Sequence, residues 1–306
     1  MIVNVIKPQG FCQGVTKALQ LVKKAIKDDS ITKPLYTLGL IVHNKKLSEA
    51  LTHFGVISLD QTSKTRLELI DKVQTGTVIL TAHGVSNSVK EKLDHKKIPY
   101  LDATCQDVYK VHNHIKDHLS DYEILYIGKA SHPEVEGILG ISDQITLITN
   151  LDDAKNYIKK TNKPLYVTNQ TTLSLYDVFT ILDVLKEKYE LIFDNDICLA
   201  TTIRQEAIIK QPKADLLIVV GDTLSSNTNK LKEVSLLNNT SSYLIESIED
   251  INIDWLLNIN SVNVTSGAST PKAITREVIA YLERFDKNDP STWNNQSKLS
   301  FEDILK

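Results

Sequence analysis

Residues 10–19 read GFCQGVTKAL, a cysteine between two glycines that follows the strand-like run IVNVI (2–6) and precedes an apolar pattern with helical spacing. A thiol at such a strand-to-helix turn lies among free backbone N–H groups at the positive end of a helix dipole, which stabilises its thiolate. The setting occurs twice more, in ATCQDVYKVH (103–112) and DICLATTIRQEA (196–207). The cysteines stand at 12, 105 and 198, so 105 minus 12 and 198 minus 105 both give 93. Equal spacing of like motifs marks an internal repeat.

Two further stations repeat with the cysteines. After the next strand-like run come IVHNKK, ASHPEVEG and SSNTNKL, which place His43, His132 and Ser225 31, 27 and 27 residues beyond their cysteines. After a later strand come TAHGVS, NQTTLS and SGASTP, with His83, Thr171 and Ser269 at 71, 66 and 71 residues. Eleven strand-like runs alternate with amphipathic helical stretches along the chain: IVNVI, YTLGLI, TVILTA, YLDAT, EILYIG, ITLIT, LYVTN, LIFDN, ADLLIVVG, YLIES and VNVTS. Such alternation is α/β with largely parallel sheets. A helix is expected over 173–188, with Leu175, Val178, Phe179, Leu182 and Leu185 as core.

The expected architecture is three similar α/β units, residues 1–103, 104–196 and 197–285, around a pseudo-threefold axis. In open α/β sheets functional groups gather at the carboxyl ends of strands, so all nine stations would face one cavity. Residues 286–306 form a turn-rich C-terminal extension ending in a short amphipathic stretch, with no role assigned.

The bulk properties narrow the function. The chain has 306 residues, enough for large buried cores, and a formal net charge of −3. That balance lacks the basic excess of a nucleic-acid or anionic-membrane binder. No apolar run approaches the roughly 20 residues of a membrane span, and the N-terminus opens directly into a strand. A cytoplasmic protein with no nucleic-acid or membrane partner is expected. Three widely spaced cysteines suit reduced thiols better than a disulfide framework.

Three converging thiolates repel one another unless they share a metal centre. Zinc and an iron–sulfur cluster compete for it. Cysteine-rich zinc sites commonly carry CxxC pairs, which this chain lacks, whereas a cubane is wide enough to take one thiolate from each unit. Three ligands for four irons would leave one iron open as a Lewis acid. The remaining stations supply His43, His83, His132, Ser225, Ser226, Asn227 and Ser269 at expected helix starts, where N–H, hydroxyl and imidazole donors suit a phosphate or diphosphate. Neither GxxxxGK[ST] nor GxGxxG is present, so no P-loop or Rossmann dinucleotide site is indicated. Taken singly, SSNT and GAST read as ordinary helix caps. His53, His95, His112, His114 and His118 read as solvated or helix-face residues. Glu134, two residues after His132, is either a first-turn carboxylate favoured by the helix dipole or a proton donor facing the cavity; Glu136 points elsewhere. A hydratase or isomerase using iron only as a Lewis acid, and an iron–sulfur sensor, remain competing classes on these residues alone.

The whole set, GFCQGV, IVHN, AHGVS, DATC, HPEVEG, QTTLS, DIC with ATTIRQEA, SSNTNKL and GASTP in that order, resembles the 4-hydroxy-3-methylbut-2-enyl diphosphate reductase family. The resemblance implies a three-unit trefoil with one 4Fe-4S cluster held by Cys12, Cys105 and Cys198, its fourth iron open to the substrate's hydroxyl. It also implies that His43, His83, His132, Ser225, Ser226, Asn227 and Ser269 bind the diphosphate of a small allylic substrate, that Glu134 is the proton source, and that Thr171 positions the hydroxyl and Glu134. The implied reaction removes the allylic hydroxyl reductively, giving isopentenyl and dimethylallyl diphosphates, with a ferredoxin or flavodoxin as electron donor. Three positions depart from the family's pattern: Gln106 for a usual proline, Lys17 for a usual arginine and Ile138 for a usual threonine.

Overall fold

A computed structural model describes residues 1–60, 64–238 and 240–306. Its twelve strands are β1 (Ile2–Val5), β2 (Leu35–Leu38), β3 (Val56–Leu59), β4 (Thr77–Leu80), β5 (Tyr100–Asp102), β6 (Glu123–Ile127), β7 (Thr146–Ile148), β8 (Leu165–Asn169), β9 (Leu191–Phe193), β10 (Leu216–Val220), β11 (Ser242–Ile245) and β12 (Ser261–Ser266). They form three four-stranded sheets, ordered β3-β2-β4-β5, β7-β6-β8-β9 and β11-β10-β12-β1. Every pairing is parallel. Numbered within its own sheet, with β1 counted as the fourth strand of the sheet it joins, each has the order 2-1-3-4, so one α/β topology occurs three times.

One strand joins a sheet far from it in the chain. β1 pairs with β12, Val3 beside Val262 and Val5 beside Val264, and so supplies the fourth strand of the sheet otherwise built from residues 216–266. Grouping by chain order places this strand with residues 1–103; the hydrogen bonds place it with the C-terminal sheet. β3 has no counterpart among the strand-like runs read from sequence. It is a four-residue edge strand with Ile57 44% exposed, too short and too mixed in burial to stand out as an apolar run.

Among the described residues there are thirteen α-helices: α1 (Gln13–Lys27), α2 (Lys45–His53), α3 (Arg66–Leu69), α4 (Asn87–His95), α5 (Gln106–His118), α6 (Pro133–Leu139), α7 (Leu151–Asn156), α8 (Leu175–Lys186), α9 (Leu199–Lys210), α10 (Ser226–Leu237), α11 (Asp254–Leu257), α12 (Lys272–Arg284) and α13 (Phe301–Leu305). The chain divides into two compact units. One comprises Met1–Val15, His43–Phe54 and Leu199–Lys306, and the other comprises Thr16–Val42 and Gly55–Cys198.

In the first unit, Leu216, Ile218 and Val220 of β10 pack with Ile274, Val278 and Tyr281 of α12, while Leu217 and Val219 pack with Ile208 of α9 and Leu231 of α10. Both faces of the strand are covered, which is why LLIVV reads as a continuous apolar run rather than an alternating one. The second unit repeats this in the β6–β9 sheet. There Leu125, Ile127, Leu165 and Val167 face α7 and α8, and Ile124, Tyr126 and Tyr166 face α5 and α6. On α8, Val178, Leu182 and Leu185 are buried as expected, but Phe179 is 42% exposed and rests edge-on against Phe193. Residues 286–306 are folded: Trp293 stacks on Phe285, and α13 packs on α2. Among the described residues no helix is long and apolar enough to cross a membrane.

Candidate active site

Each cysteine follows the fourth strand of a sheet and precedes a helix, α1, α5 or α9. Its backbone N–H donates to a carbonyl in the loop after the third strand of that sheet: Cys12 to Ala268, Cys105 to Ala82 and Cys198 to Thr171, each at 3.0 Å. All three are reduced thiols, partly exposed. The amide of Val15 lies 3.5 Å from Cys12 Sγ, the geometry of an N–H aimed at a sulfur in the first turn of a helix.

The loop after each third strand also closes with a four-residue turn, Gly84 N–H donating to the Thr81 carbonyl, Leu173 to Gln170 and Thr270 to Gly267. These turns and the cysteine bonds agree on one alignment of the copies: Ala82, Thr171 and Ala268 are equivalent, and so are His83, Thr172 and Ser269. Thr171 therefore stands one residue before the position of His83 and Ser269. The difference in spacing, 66 against 71, hides that offset in the sequence. Gly84 takes φ +76°, and a Cβ there would lie 3.0 Å from Val108. The tight AHGVS turn thus depends on glycine.

In the first unit, Ser225 caps α10 by accepting from Thr228 N–H, and Ser269 Oγ donates to the His43 carbonyl at 3.0 Å while lying 3.3 Å from Ser225 Oγ. Asn227 accepts from Ala268 N–H at 3.1 Å and donates to Thr201 Oγ1 at 3.1 Å, so its amide ties the start of α10 to the loop after β12 and to α9. Ser225, Ser226, Asn227 and Ser269 are all buried at the start of α10 and the end of β12. Arg204, buried on α9, donates to the Gly10 carbonyl at 2.8 Å and anchors the turn that leads to Cys12.

In the second unit, His132 caps α6, its Nδ1 accepting from Glu134 N–H at 3.1 Å. A backbone N–H can only donate, so Nδ1 carries the lone pair and Nε2 the hydrogen. The His83 ring meets the His132 ring edge-on at 5.5 Å. Glu134 is 1% exposed. Its Oε1 accepts from Thr171 N–H at 2.8 Å and from Tyr126 OH at 3.2 Å, and its Oε2 accepts from Thr171 Oγ1 at 2.8 Å. Burial pushes its pKa up to about 7, with the charge of Asp196 adding to the rise, against the three donors that favour the ionised form. Glu136 points away, as expected, and accepts from Arg66 N–H.

Three residues were not legible in the sequence. Tyr126 sits within a strand run and shows nothing of its hydrogen bond to Glu134. Asp196 is buried and receives Thr168 Oγ1 at 2.7 Å and Lys110 Nζ at 3.1 Å, which ties α5 to the loop before Cys198. Arg66 is 5% exposed, and its guanidinium donates to the carbonyls of Gly84 (2.7 Å) and Pro133 (3.1 Å), holding together the loops that carry His83 and His132. His112, read as a solvated or helix-face residue, is instead buried on α5, where desolvation and the charges of Lys116 and Lys90 push its pKa down to about 4. Two of the departures from the family's pattern touch: Lys17 Nζ lies 3.4 Å from Gln106 Oε1.

Fold and site together define an α/β enzyme whose polar groups cluster where parallel strands run into helices. The LytB protein family matches residues 3–283. The 4-hydroxy-3-methylbut-2-enyl diphosphate reductase of Geobacillus thermodenitrificans is 47% identical over 98% of this chain and 96% of its own, and that of Bacillus subtilis is 45% identical over the same shares. The structure of the E-1-hydroxy-2-methyl-but-2-enyl-4-diphosphate reductase from Plasmodium falciparum superposes with a TM-score of 0.84 at 31% identity, covering 99% of this chain and 96% of that one. The chain belongs to the LytB family of 4-hydroxy-3-methylbut-2-enyl diphosphate reductases. Membership implies an oxidoreductase with an iron–sulfur cofactor.

Arg66→Ala is expected to lower the unfolding free energy by about 2–4 kcal/mol, because it strands the buried Gly84 carbonyl and the part-buried Pro133 carbonyl and removes a buried side chain. Arg66→Lys is expected to recover only part, since Nη1 serves both carbonyls while Nη2 reaches Thr81 Oγ1 at 3.3 Å, and a single ammonium cannot meet all three acceptors as the guanidinium fork does. Urea midpoints decide it; a loss below about 1 kcal/mol for Arg66→Ala would show that the loops hold without the fork.

Proposed function

We propose that this protein reduces 4-hydroxy-3-methylbut-2-enyl diphosphate to isopentenyl and dimethylallyl diphosphates, releasing the hydroxyl as water with two electrons and two protons. The observation that carries the reading is Glu134, a fully buried carboxyl with a pKa near 7 and a hydroxyl, that of Thr171, in contact with it.

The donor set suits the cofactor that the family implies. Three reduced thiols at helix starts, each with its own N–H bonded away, fit a cluster with three thiolate ligands. Cys12, Cys105 and Cys198 would hold one 4Fe-4S cluster. When bound, it would supply electrons singly and an open Lewis-acidic iron for the allylic hydroxyl, with a ferredoxin or flavodoxin as the external donor.

The chain's own residues bind the anion and handle the proton. His132, with its hydrogen on Nε2, would donate to a diphosphate oxygen, as would His43, His83 and the Ser225, Ser226, Asn227 and Ser269 side chains. The first-turn N–H groups of α10 add to the same attraction. Thr171 receives the proton relay. With Glu134 ionised, the Thr171 hydroxyl donates to Oε2; with Glu134 protonated, the carboxyl O–H donates to Thr171 Oγ1 and the threonine hydrogen turns onward toward the departing hydroxyl. The carboxyl thus gives up its proton without entering water.

The direct test is anaerobically purified protein with the hydroxylated allylic diphosphate and reduced methyl viologen as one-electron donor. Both five-carbon diphosphates are expected, and only with the donor present. Glu134→Gln should keep iron content and substrate binding and lose about a hundredfold or more in turnover. Donor-independent conversion would make the enzyme a hydratase or isomerase, and unchanged turnover in Glu134→Gln would reject the proton role.

The pH profile follows from the same carboxyl. Because burial raises its pKa to about 7, the proton-bearing form dominates below that value and is lost as pH rises through it. Turnover should therefore fall on the alkaline side of about pH 7. Tyr126→Phe removes a donor that favours the ionised carboxylate, so its alkaline limb should move to higher pH. A shift to lower pH would contradict the assignment.

A further inference from the structure

The C-terminal segment beyond α12 lies past the family match, which ends at residue 283, yet it is fastened across the first unit at several points. Tyr281 OH donates to the Trp293 carbonyl at 3.1 Å, Asn295 Nδ2 donates to the Ile251 carbonyl at 3.1 Å, and Glu277 of α12 accepts from Lys298 N–H and Ser297 Oγ, both at 2.8 Å. The segment ends in α13, a single turn started by a reciprocal capping box between Ser300 and Asp303. Ile304 and Leu305 are buried, and the Phe301 ring lies 4.8 Å from the His53 ring at the far end of α2.

Among the described elements, α13 is the one that α2 packs against most. Nine residues are too few for a helix to persist on its own propensity, so α2 depends on burying Leu47, Ala50 and Leu51. The opposite end of α2 is docked on the loops of the C-terminal sheet. Lys45 N–H donates to Asp222 Oδ2 at 2.7 Å, the His43 carbonyl accepts from Ser269 Oγ, and Asn44 caps the helix at Leu47 N–H. His43 is thus the residue at which a short helix, held at its far end by α13, meets the loops that carry Ser225 and Ser269.

We infer that residues 286–306 are a strap whose terminal helix positions α2, and through it His43, for the diphosphate of the substrate. This rests on the reading of His43, Ser225 and Ser269 as diphosphate ligands. Ile304, Leu305 and Phe301 are positioning residues, remote from the reacting atoms. Loosening them releases the far end of α2 and lets the His43 backbone swing away from Ser269, which weakens anion binding while leaving Glu134, in the other compact unit, untouched.

The test uses the full-length protein carrying Ile304→Asp, with Phe301→Ala as a milder variant and Ile304→Val as the conservative control. Amide hydrogen exchange over residues 45–53 is expected to speed up about tenfold or more in Ile304→Asp. Calorimetric affinity for inorganic diphosphate, and KM for the allylic diphosphate, should worsen roughly tenfold, with kcat within twofold and iron content unchanged; Ile304→Val should restore both. If α2 loosens but diphosphate affinity and KM stay at wild-type values, or if kcat and iron fall while KM does not, the strap does not position the site. If Ile304→Asp does not fold, Phe301→Ala carries the same readouts. A wild-type protein that binds no diphosphate would instead overturn the anion-site reading. The strap is then judged by exchange alone: unchanged protection of 45–53 in the variants rejects it, and lost protection upholds the hold on α2.

Discussion

One backbone hydrogen bond, made three times, organises this protein. In each sheet the N–H of a cysteine at the end of the fourth strand donates to the carbonyl of the loop that ends the third strand. The bond satisfies the cysteine's own N–H and ties the thiol to the loop holding His83, Thr172 or Ser269. It exists because the strands are parallel and adjacent, so their carboxyl ends arrive side by side. With the order 2-1-3-4, the first and third strands are neighbours whose connections leave in opposite directions, which opens a crevice at their ends. His132 and Ser225 follow first strands, and His83 and Ser269 follow third strands.

The chemistry of Glu134 is a contest between burial and hydrogen bonding. Three donors, the Thr171 amide, the Thr171 hydroxyl and the Tyr126 hydroxyl, favour the charged carboxylate, while complete desolvation and Asp196 oppose it. A rise from 4.5 to about 7 means that desolvation wins by roughly 3 kcal/mol. The donors hold the carboxyl in one orientation without making it a strong acid. In the proposed reaction, a carboxyl that still carries a proton near neutral pH, with a hydroxyl at hydrogen-bond distance, would serve as the acid, and its burial would limit exchange of that proton with water.

Much of this is legible in the sequence, because the repeat sets nine stations in the same order and at similar intervals along the chain. The thiols at 12, 105 and 198 recur at equal spacing, and their turn chemistry recurs with them. What stays hidden is tertiary. Strand β1 stands first in the chain but pairs last, since parallel pairing follows apolar edges rather than chain order. The order of the motifs groups Thr171 with His83 and Ser269, and because loop lengths differ between copies only the hydrogen bonds show the one-residue offset. Arg66 lies in a polar stretch with no periodicity, and it acts on carbonyls of loops 18 and 67 residues away. Phe179 fits the helical spacing of α8 yet faces outward at the margin of the apolar stripe.

The measurement that reaches furthest is infrared difference spectroscopy of the carboxyl stretch across about pH 5–9, comparing wild type with Glu134→Gln. A protonated carboxylic acid band, present at low pH, lost with a midpoint of about 7 and missing from Glu134→Gln, is the expected result. A Glu134 band already lost by about pH 5 would mean that the carboxyl is ionised at neutral pH and has no proton to deliver.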